Sequence, residues 1–374
     1  MSNEVGRGDD AGHPSRWLLD GLRIVDLSLW QPGHTATQLL ADLGAEVLKV
    51  EPPGGDRMRA MADRFANFDR HKRSVVLDLK QEEGRRRLLT LVAEAEVVVE
   101  GFRPGVAERL GASFETLRSA NPAIVLCSIT GFGRSGPLAS VPGHDRNYQA
   151  YAGAFTFSHG QAPAAAGLLV GDQGSGLAAA FAILASVLCA RRTGVGEHVD
   201  VSIADLLASW VAPLGSLSPS APALILDMLP GMGTFRTGDG GYVELGVFSE
   251  DHLWDALCEA LEVNDGVGLG FATRTDRAGE LRAALASAID TWNRDDLIDA
   301  LRRRSLPVAP VLTREEMLEL PHFQERGVIT VGPDGARGVR HPIQYTLHPS
   351  RPDGTAPLLD DRSGEGFGWS HADE

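Results

Sequence analysis

Buried strands alternate with amphipathic helices through the N-terminal half of the chain, and this alternation restricts the fold more than any other feature. Residues 22–27 and 46–51 are predicted strands, and residues 35–43 between them carry leucines on one helical face. Gly44 then ends the predicted helix. A strand, a helix and a second strand in this order form a βαβ unit with parallel strands and a right-handed crossover. The sequence therefore predicts an α/β fold with a parallel sheet.

The predicted strands also indicate where a ligand would bind. Further strands are expected at residues 75–79, 97–100, 124–129 and 199–202. Because ligands bind outside the carboxyl ends of parallel strands, polar or glycine-rich segments at those ends are candidate binding residues. These are Gln31 in a predicted turn, Arg73, Arg103, and the loop at residues 131–136 with its Gly131 and Gly133. No G-x-G-x-x-G follows the first strand, so no nicotinamide or flavin cofactor is expected.

The composition changes after residue 212, and this change predicts a second domain. Residues 1–16 are polar and glycine-rich and are expected to be a disordered lead-in to a large Rossmann-like domain at residues 17–212. Residues 213–232 are rich in Ser, Pro and Ala and predict a linker. A hairpin pattern and helical patterns predict a smaller α+β domain at residues 233–325. Residues 326–374 are expected to pack on the large domain or on a partner chain.

Charge and cysteine content exclude several classes of protein. The formal net charge is −15, which argues against nucleic acid or an anionic membrane as a partner. The three cysteines lie far apart and predict neither disulfides nor a zinc site, so a cytoplasmic location is expected. No group of His, Asp and Glu has metal-ligand spacing, so no metal is expected. No apolar run is expected to reach membrane-spanning length.

The turn that begins at Gly171 and Asp172 is the strongest candidate for chemistry. An apolar run ends there, and a long pattern of small helical residues follows. Asp172 is either an N-cap, which satisfies an orphan helix N–H group, or a carboxylate placed at a ligand-binding edge. Backbone N–H groups of the turn would stabilise an enolate or a tetrahedral oxyanion.

Three other polar segments have both a structural and a chemical interpretation. His144 is able to give and take protons near neutral pH. With Asp172 it would form a two-base site, whereas Asp172 alone would be a nucleophile toward an acyl group. The basic residues 71–73 either bind phosphates or form a solvated charged face. Glu250 lies at a predicted helix start, where capping explains an acidic residue.

Several segments, taken together, resemble the family III CoA-transferase superfamily, which includes the alpha-methylacyl-CoA racemases. They are residues 19–23, 40–51, 72–74, 101–106, 131–133, 171–172 and 193–201. The resemblance implies a Rossmann-like large domain split around a small domain, in an interlocked homodimer. It also implies an acyl-CoA substrate, so that coenzyme A is part of the substrate.

The resemblance further implies roles for individual residues. The segment around Lys72 and the residue Arg103 would lie near the CoA nucleotide, and Asp172 would be the catalytic carboxylate. Residues 143–148 match the racemase segment, so His144 would be a second base. The complete implied set is His71, Lys72, Arg73 and Arg103 for CoA; Asp172 and His144 for catalysis; Asp145 and Tyr148 as polar supports of His144; and Glu250 as an offset match to a racemase glutamate.

Three functions follow from these roles. The first is a racemase or epimerase of a 2-methylacyl-CoA, which moves the α-proton through an enolate between His144 and Asp172. The second is a CoA-transferase that moves CoA between carboxylic acids through a mixed anhydride at Asp172. The third is an acyl-CoA-binding protein without turnover. The His144 segment favours the first over the second, and both are favoured over the third.

Overall fold

Six strands form one parallel sheet within the residues that the computed structural model describes, 16–155, 162–214, 229–331, 337–362 and 368–369. They are β1 (Arg23–Asp26), β2 (Glu46–Glu51), β3 (Arg73–Val76), β4 (Val97–Glu100), β5 (Val125–Thr130) and β6 (His198–Ser202). Their order is β3-β2-β1-β4-β5-β6, which is the doubly wound order of a Rossmann-like fold. The predicted α/β class is therefore confirmed.

Helices cover both faces of this sheet. They are α1 (Gln31–Asp42), α2 (Ala62–Phe68), α3 (Glu82–Glu94), α4 (Val106–Arg109), α5 (Phe114–Ala120), α6 (Asp145–Tyr151), α7 (Val170–Thr193) and α8 (Ile203–Val211). Helices α1 and α7 bury apolar side chains against one face of the sheet, and α3 and α5 against the other. Because both faces are covered, the strands are apolar on both sides, as the continuous apolar runs of the sequence require.

The chain divides into two compact units, residues 1–213 with 325–374, and residues 214–324. The second unit contains a three-stranded antiparallel sheet of β7 (Met232–Arg236), β8 (Tyr242–Gly246) and β9 (Val308–Pro310). Its helices are α9 (Asp251–Ala260), α10 (Phe271–Asp276), α11 (Ala278–Ile289), α12 (Arg294–Arg302), α13 (Arg314–Glu319) and α14 (Pro321–Glu325). The predicted lead-in, apart from Arg16, and most of the predicted linker lie outside the described residues.

The C-terminal segment belongs to the first unit. Near its start, β10 (Ile329–Val331) pairs antiparallel with β11 (Arg337–Val339). Further on, the backbone N–H of Arg351 donates to the carbonyl of Asp42 at 2.7 Å, and the Asp361 carboxylate accepts from the N–H of Ser74 at 2.7 Å. The Trp369 indole donates to the Leu91 carbonyl at 3.1 Å. The segment therefore covers the edge strand β3 and closes the core beneath α3.

Two local predictions are wrong. Helix α1 begins at Gln31, whereas the sequence predicted a turn there. Pro32 is tolerated because N–H groups in a first helical turn have no partner within the helix. Gly33 then lets the helix pass so close to Ser28 that a Cβ atom would overlap its side chain. Arg73 is the first residue of β3 and does not lie at a carboxyl end.

Helix α7 also departs from expectation. Within the described part of the chain, it is the one helix long and apolar enough to cross a membrane, as judged by length and composition alone. The expectation that no apolar run reaches this length is therefore wrong. The core helix of a globular domain passes the same test, and α7 packs closely on α1. A Cβ atom on Gly176 would lie 2.6 Å from the Cβ atom of Thr35.

Candidate active site

Asp172 lies in the first turn of α7, close to the carboxyl end of the sheet. The helix N-cap is Leu169, so the interpretation of Asp172 as the N-cap is wrong. The turn is built from small residues because other groups approach it closely. A Cβ atom on Gly171 would lie 2.9 Å from the Ile203 side chain and 3.0 Å from a carboxylate oxygen of Asp145. Glycine at this position lets the start of α6 and the start of α8 meet α7.

Asp145 holds the first turn of α7 from a different helix. Its side chain is buried, and one carboxylate oxygen accepts from the backbone N–H of Asp172 at 2.8 Å. The other oxygen accepts from the Gln149 amide, whose own oxygen accepts from the N–H of Ala166 at 3.2 Å. Asp145 therefore satisfies an orphan N–H group of α7. The structure places it beside Asp172, whereas the resemblance implied that it supports His144.

The environment of Asp172 disfavours its charged form. Burial is the main cause, and the negative charge of Asp145 adds to it, against a smaller opposing effect of Arg64. Together they raise the pKa of Asp172 to about 7. A carboxyl group with a pKa near 7 is present at neutral pH both as the protonated acid and as the nucleophilic carboxylate. Asp172 is thus suited to attack a carbonyl or to exchange a proton.

Tyr148 completes the buried side of this site. Its hydroxyl donates to the carbonyl of Gly143, and its ring lies edge-on to Phe132 with centroids 5.1 Å apart. Burial and the charge of Asp172 raise the pKa of the Tyr148 hydroxyl. Its ring fills the space where a side chain at Gly131 would stand, so Gly131 serves packing in this structure. Tyr148 is therefore a neutral hydroxyl within the electrostatic range of Asp172.

His144 is exposed, whereas Asp145 and Tyr148 of the same segment are buried. It is the N-cap residue of α6, and its backbone N–H donates to the Asn147 side chain at 3.0 Å. Its ring lies edge-on to the Trp30 ring, with centroids 5.8 Å apart. The polar groups of residues 143–148 thus order the backbone turn at the start of α6. The role of His144 as a base stays a prediction.

Lys72 lies in a set of buried charges at the carboxyl ends of β1 and β2, which we call the buried charge cluster. Its members are Asp26, His34, Lys49, Asp56, Asp69 and Lys72. The Lys72 ammonium is fully buried and lies 2.8 Å from Asp69 and 3.1 Å from Asp26. The resemblance implies that Lys72 lies near the CoA phosphates. In this structure its charge is already paired with two carboxylates.

The other predicted CoA residues lie in different surroundings. His71 has a positive φ of 64°, and its ring packs against Gly354 in the C-terminal segment. Arg73 is partly exposed and contacts the Asp361 carboxylate at 3.2 Å. Arg103 is exposed beside a small cavity at the carboxyl ends of β4 and β5. Arg73 is paired with a carboxylate, whereas Arg103 lines this cavity.

The remaining predicted residues fall into two places. Gln31 is buried in the first turn of α1, and Gly133 takes a positive φ of 80° in the loop after β5. Glu250 belongs to the second unit, where it is the N-cap residue of α9 and accepts from the N–H of Phe248 at 3.1 Å. The structure therefore brings Asp145, Tyr148 and Asp172 together, and a catalytic role for Glu250 stays a prediction.

Two residues of the site were missed by sequence reasoning. Gln149 follows Asp145 by one helical turn, and this spacing on a predicted helix is a signal that would have paired them. Arg64 lies in α2, and only its position in the fold reveals that its charge acts on Asp172.

Comparisons with known proteins agree with this fold. The model of CoA-transferase family III matches residues 19–363. Among curated proteins, the chain is 33% identical to a succinate–glutarate CoA-transferase of Agrobacterium fabrum, over 91% of this chain and 92% of that protein. It is 34% identical to a succinyl-CoA:mesaconate CoA-transferase of Haloarcula hispanica, over 93% of this chain and 95% of that protein.

Solved structures show the same likeness. A CaiB/BaiF family protein from Brucella suis superposes with a TM-score of 0.82 at 31% identity, covering 92% of this chain and 97% of that one. The similar relatives named above are CoA-transferases, so the comparisons support the transferase alternative better than the racemase that the sequence favoured. The chain is an enzyme of CoA-transferase type, and it belongs to CoA-transferase family III.

Proposed function

We propose that this enzyme moves CoA between two carboxylic acids and that Asp172 carries the transferred groups. The observation that carries the proposal is the Asp172 carboxyl group in the first turn of α7, fixed at its backbone by Asp145 and with its pKa raised to about 7. Such a carboxyl group is ionised in a large part of the molecules at neutral pH. Because its environment disfavours the charge, it is also more reactive than a solvated carboxylate.

The chemistry follows from a carboxylate nucleophile and a thioester. The Asp172 carboxylate attacks the thioester carbonyl carbon, the C–S bond breaks, and CoA leaves as a thiolate while the acyl group forms a mixed anhydride with Asp172. The thiolate then attacks the Asp172 carbonyl carbon. The donor acid leaves as a carboxylate with the electron pair of the anhydride C–O bond, and Asp172 holds CoA as a thioester. An acceptor carboxylate reverses these two steps.

Negative charge develops on the carbonyl oxygen in each attack. The N–H of Asp172 is already donated to Asp145, but the preceding N–H groups of this turn and the positive end of the helix dipole would stabilise that charge. The fixed hydrogen bond from the Asp172 N–H to Asp145 holds this turn in one conformation. The helix terminus therefore contributes to the transition state and needs no rearrangement during the reaction.

A racemase would need a second base at the opposite face of the α-carbon. The His144 side chain was assigned to that role from the sequence, and it lies at the exposed start of α6 beside Trp30. Under the transferase proposal, replacing His144 by Ala slows the reaction only mildly. The same protein incubated with a 2-methylacyl-CoA in deuterium oxide is expected to leave the α-proton in place.

The homodimer that the resemblance implies is part of this proposal. Leu177, Phe181 and Leu188 are exposed and recur along one side of α7. An exposed apolar stripe on a long helix is typical of an interface with another chain. Sedimentation of the intact protein tests the dimer, and the substitution Phe181→Glu is expected to shift it toward the monomer.

The role of Asp172 is tested by steady-state kinetics on two matched variants. Asp172→Asn is expected to lower kcat by at least roughly a thousandfold, because the amide is not a nucleophile. Asp205→Asn is the control, since Asp205 is also the third residue of a helix, α8, but is exposed. The wild type is expected to show ping-pong kinetics. Transfer activity retained in Asp172→Asn would refute the proposal.

A further inference from the structure

Helix α2 is held against the start of α1, and this places it near Asp172. Asp69 is the C-cap residue of α2, and its carboxylate contacts Nδ1 of His34, in the first turn of α1, at 2.8 Å. Thr35, the next residue, packs against Gly176 of α7. Gly176 lies one helical turn after Asp172. Two adjacent residues near the start of α1, His34 and Thr35, therefore contact the end of α2 and the second turn of α7.

Within α2, one side chain faces inward and its neighbour is exposed. Phe65 is buried, and the Arg59 guanidinium covers its ring at 4.2 Å. Arg64 precedes it and is exposed. Among the described residues, Arg64 has no hydrogen-bond or ion-pair partner. A guanidinium without a partner, on a helix that is fixed in place, is available to an anionic ligand.

The charge of Arg64 reaches the catalytic carboxyl group. It lowers the pKa of Asp172, against the stronger opposite effects of burial and Asp145. The Arg64 charge thus acts on Asp172, and the contacts of α1 with both α2 and α7 place the two helices on the same side of the fold. The whole chain carries a net charge of −15, so a dianionic acid would be repelled unless a local cation held it.

We propose that Arg64 binds the second carboxylate of a dicarboxylic acid whose first carboxylate reacts at Asp172, so that Arg64 selects dicarboxylic over monocarboxylic substrates. This inference rests on the proposed function and names the substrate class of the same site. Guanidinium matches a carboxylate with two parallel hydrogen bonds, and those bonds would fix the distance between the held and the reacting ends of the acid. Two relatives are named for dicarboxylic acids, succinate with glutarate and succinyl-CoA with mesaconate.

Isotope exchange between a labelled free acid and its own CoA thioester tests the inference one acid at a time. The panel is succinate and glutarate, as dicarboxylates, against propionate and butyrate. Arg64→Gln is expected to raise KM for the dicarboxylates roughly ten- to a hundredfold, with kcat and the KM values of the monocarboxylates little changed. Arg64→Lys, which keeps the charge, is expected to recover part of the loss.

Arg118→Gln is the matched control. Arg118 is exposed in the last turn of α5, which precedes the amino end of β5, whereas ligands are expected at the carboxyl ends. Its replacement by Gln removes the same charge. No selective change is expected for it.

Three outcomes would overturn the inference in different ways. If the wild type exchanges no acid at all, the proposed function itself fails. If the wild type exchanges acids but Arg64→Gln affects both classes equally, the function stands and Arg64 is not the selective residue. If KM rises equally for every CoA thioester, Arg64 binds CoA and the inference is wrong.

Discussion

The buried carboxylates of the charge cluster and the half-buried carboxylate of Asp172 lie in the same unit and behave in opposite ways. In the buried charge cluster, burial alone would favour the neutral acid, but the ammonium groups of Lys72 and Lys49 and the imidazole of His34 surround the carboxylates. They hold the pKa values of Asp26 and Asp69 well below their ordinary range. At Asp172 burial also dominates, but the nearest charge is another carboxylate, Asp145, and the pKa rises to about 7.

The difference shows that burial raises the pKa of a carboxyl group and that the neighbouring charges decide whether this rise persists or is reversed. The cluster carboxylates are ionised and paired, which suits a structural role at the carboxyl ends of β1 and β2. Asp172 is left under-compensated, and this is the state in which a carboxyl group reacts. One residue type, Asp, is thus paired in the charge cluster, where it serves structure, and left without a paired cation at position 172, where we propose that it serves chemistry.

The largest expected effect comes from removing one charge of the cluster. Lys72→Met leaves Asp26 and Asp69 buried without their ammonium partner, at 3.1 Å and 2.8 Å respectively. We expect a loss of about 3–5 kcal/mol in the free energy of unfolding, because an uncompensated buried charge is expensive. Denaturant unfolding monitored by circular dichroism measures it. The exposed change Arg73→Met is the control, and equal losses for both would contradict the account.

A smaller effect is expected from weakening the charge next to Asp172. Activity should rise with pH through about 7 in the wild type, because only the ionised Asp172 attacks the thioester. Asp145→Asn removes a negative neighbour, so the pKa of Asp172 falls and the midpoint of the kcat/KM profile moves down by roughly one pH unit. A profile that stays in place, with activity retained, would show that another group titrates.

The smallest effect concerns stability at the catalytic turn. The folded pKa of Asp172, about 7, lies above the ordinary aspartate value of 3.8, so the folded state binds this proton more tightly than the unfolded chain does. That stabilisation is complete below the unfolded pKa and is lost as the pH rises through about 7. Asp172→Asn, which is neutral throughout, should therefore raise Tm by roughly 1–4 °C at pH 8 and not at pH 4. Calorimetry at both pH values checks this difference.

Much of the sheet was predictable because its signals are local. The apolar runs that became β1, β2, β4 and β5 carry their own strand pattern, and Gly44 ends α1 as expected. The start of α1 was not predictable in the same way, since Gln31 and Pro32 suit a turn or a first helical turn equally. The contact with Ser28 that decides between them is visible only in the folded chain.

The candidate site also has one part that the sequence predicted and another that only the folded chain shows. Asp172 stood out because glycines and a helix pattern surround it in the sequence. The hydrogen bond from its N–H to Asp145 spans 27 residues and depends on how α6 packs on α7. Lys72 is the opposite case. Its basic segment predicts a phosphate site, but the fold places two carboxylates next to its ammonium group. Local pattern identifies Asp172 as the candidate residue, and only tertiary packing shows which of the nearby charges are already paired.

The most direct test of the account is to trap the covalent state of Asp172. The enzyme is mixed with an acyl-CoA that it uses, quenched with hydroxylamine, digested and analysed by mass spectrometry. An activated carboxyl group reacts with hydroxylamine to form a hydroxamate, whereas a free carboxylate does not. The account predicts a hydroxamate on Asp172 that depends on acyl-CoA and is absent from Asp172→Asn. An unmodified Asp172 in an enzyme that is turning over would contradict it.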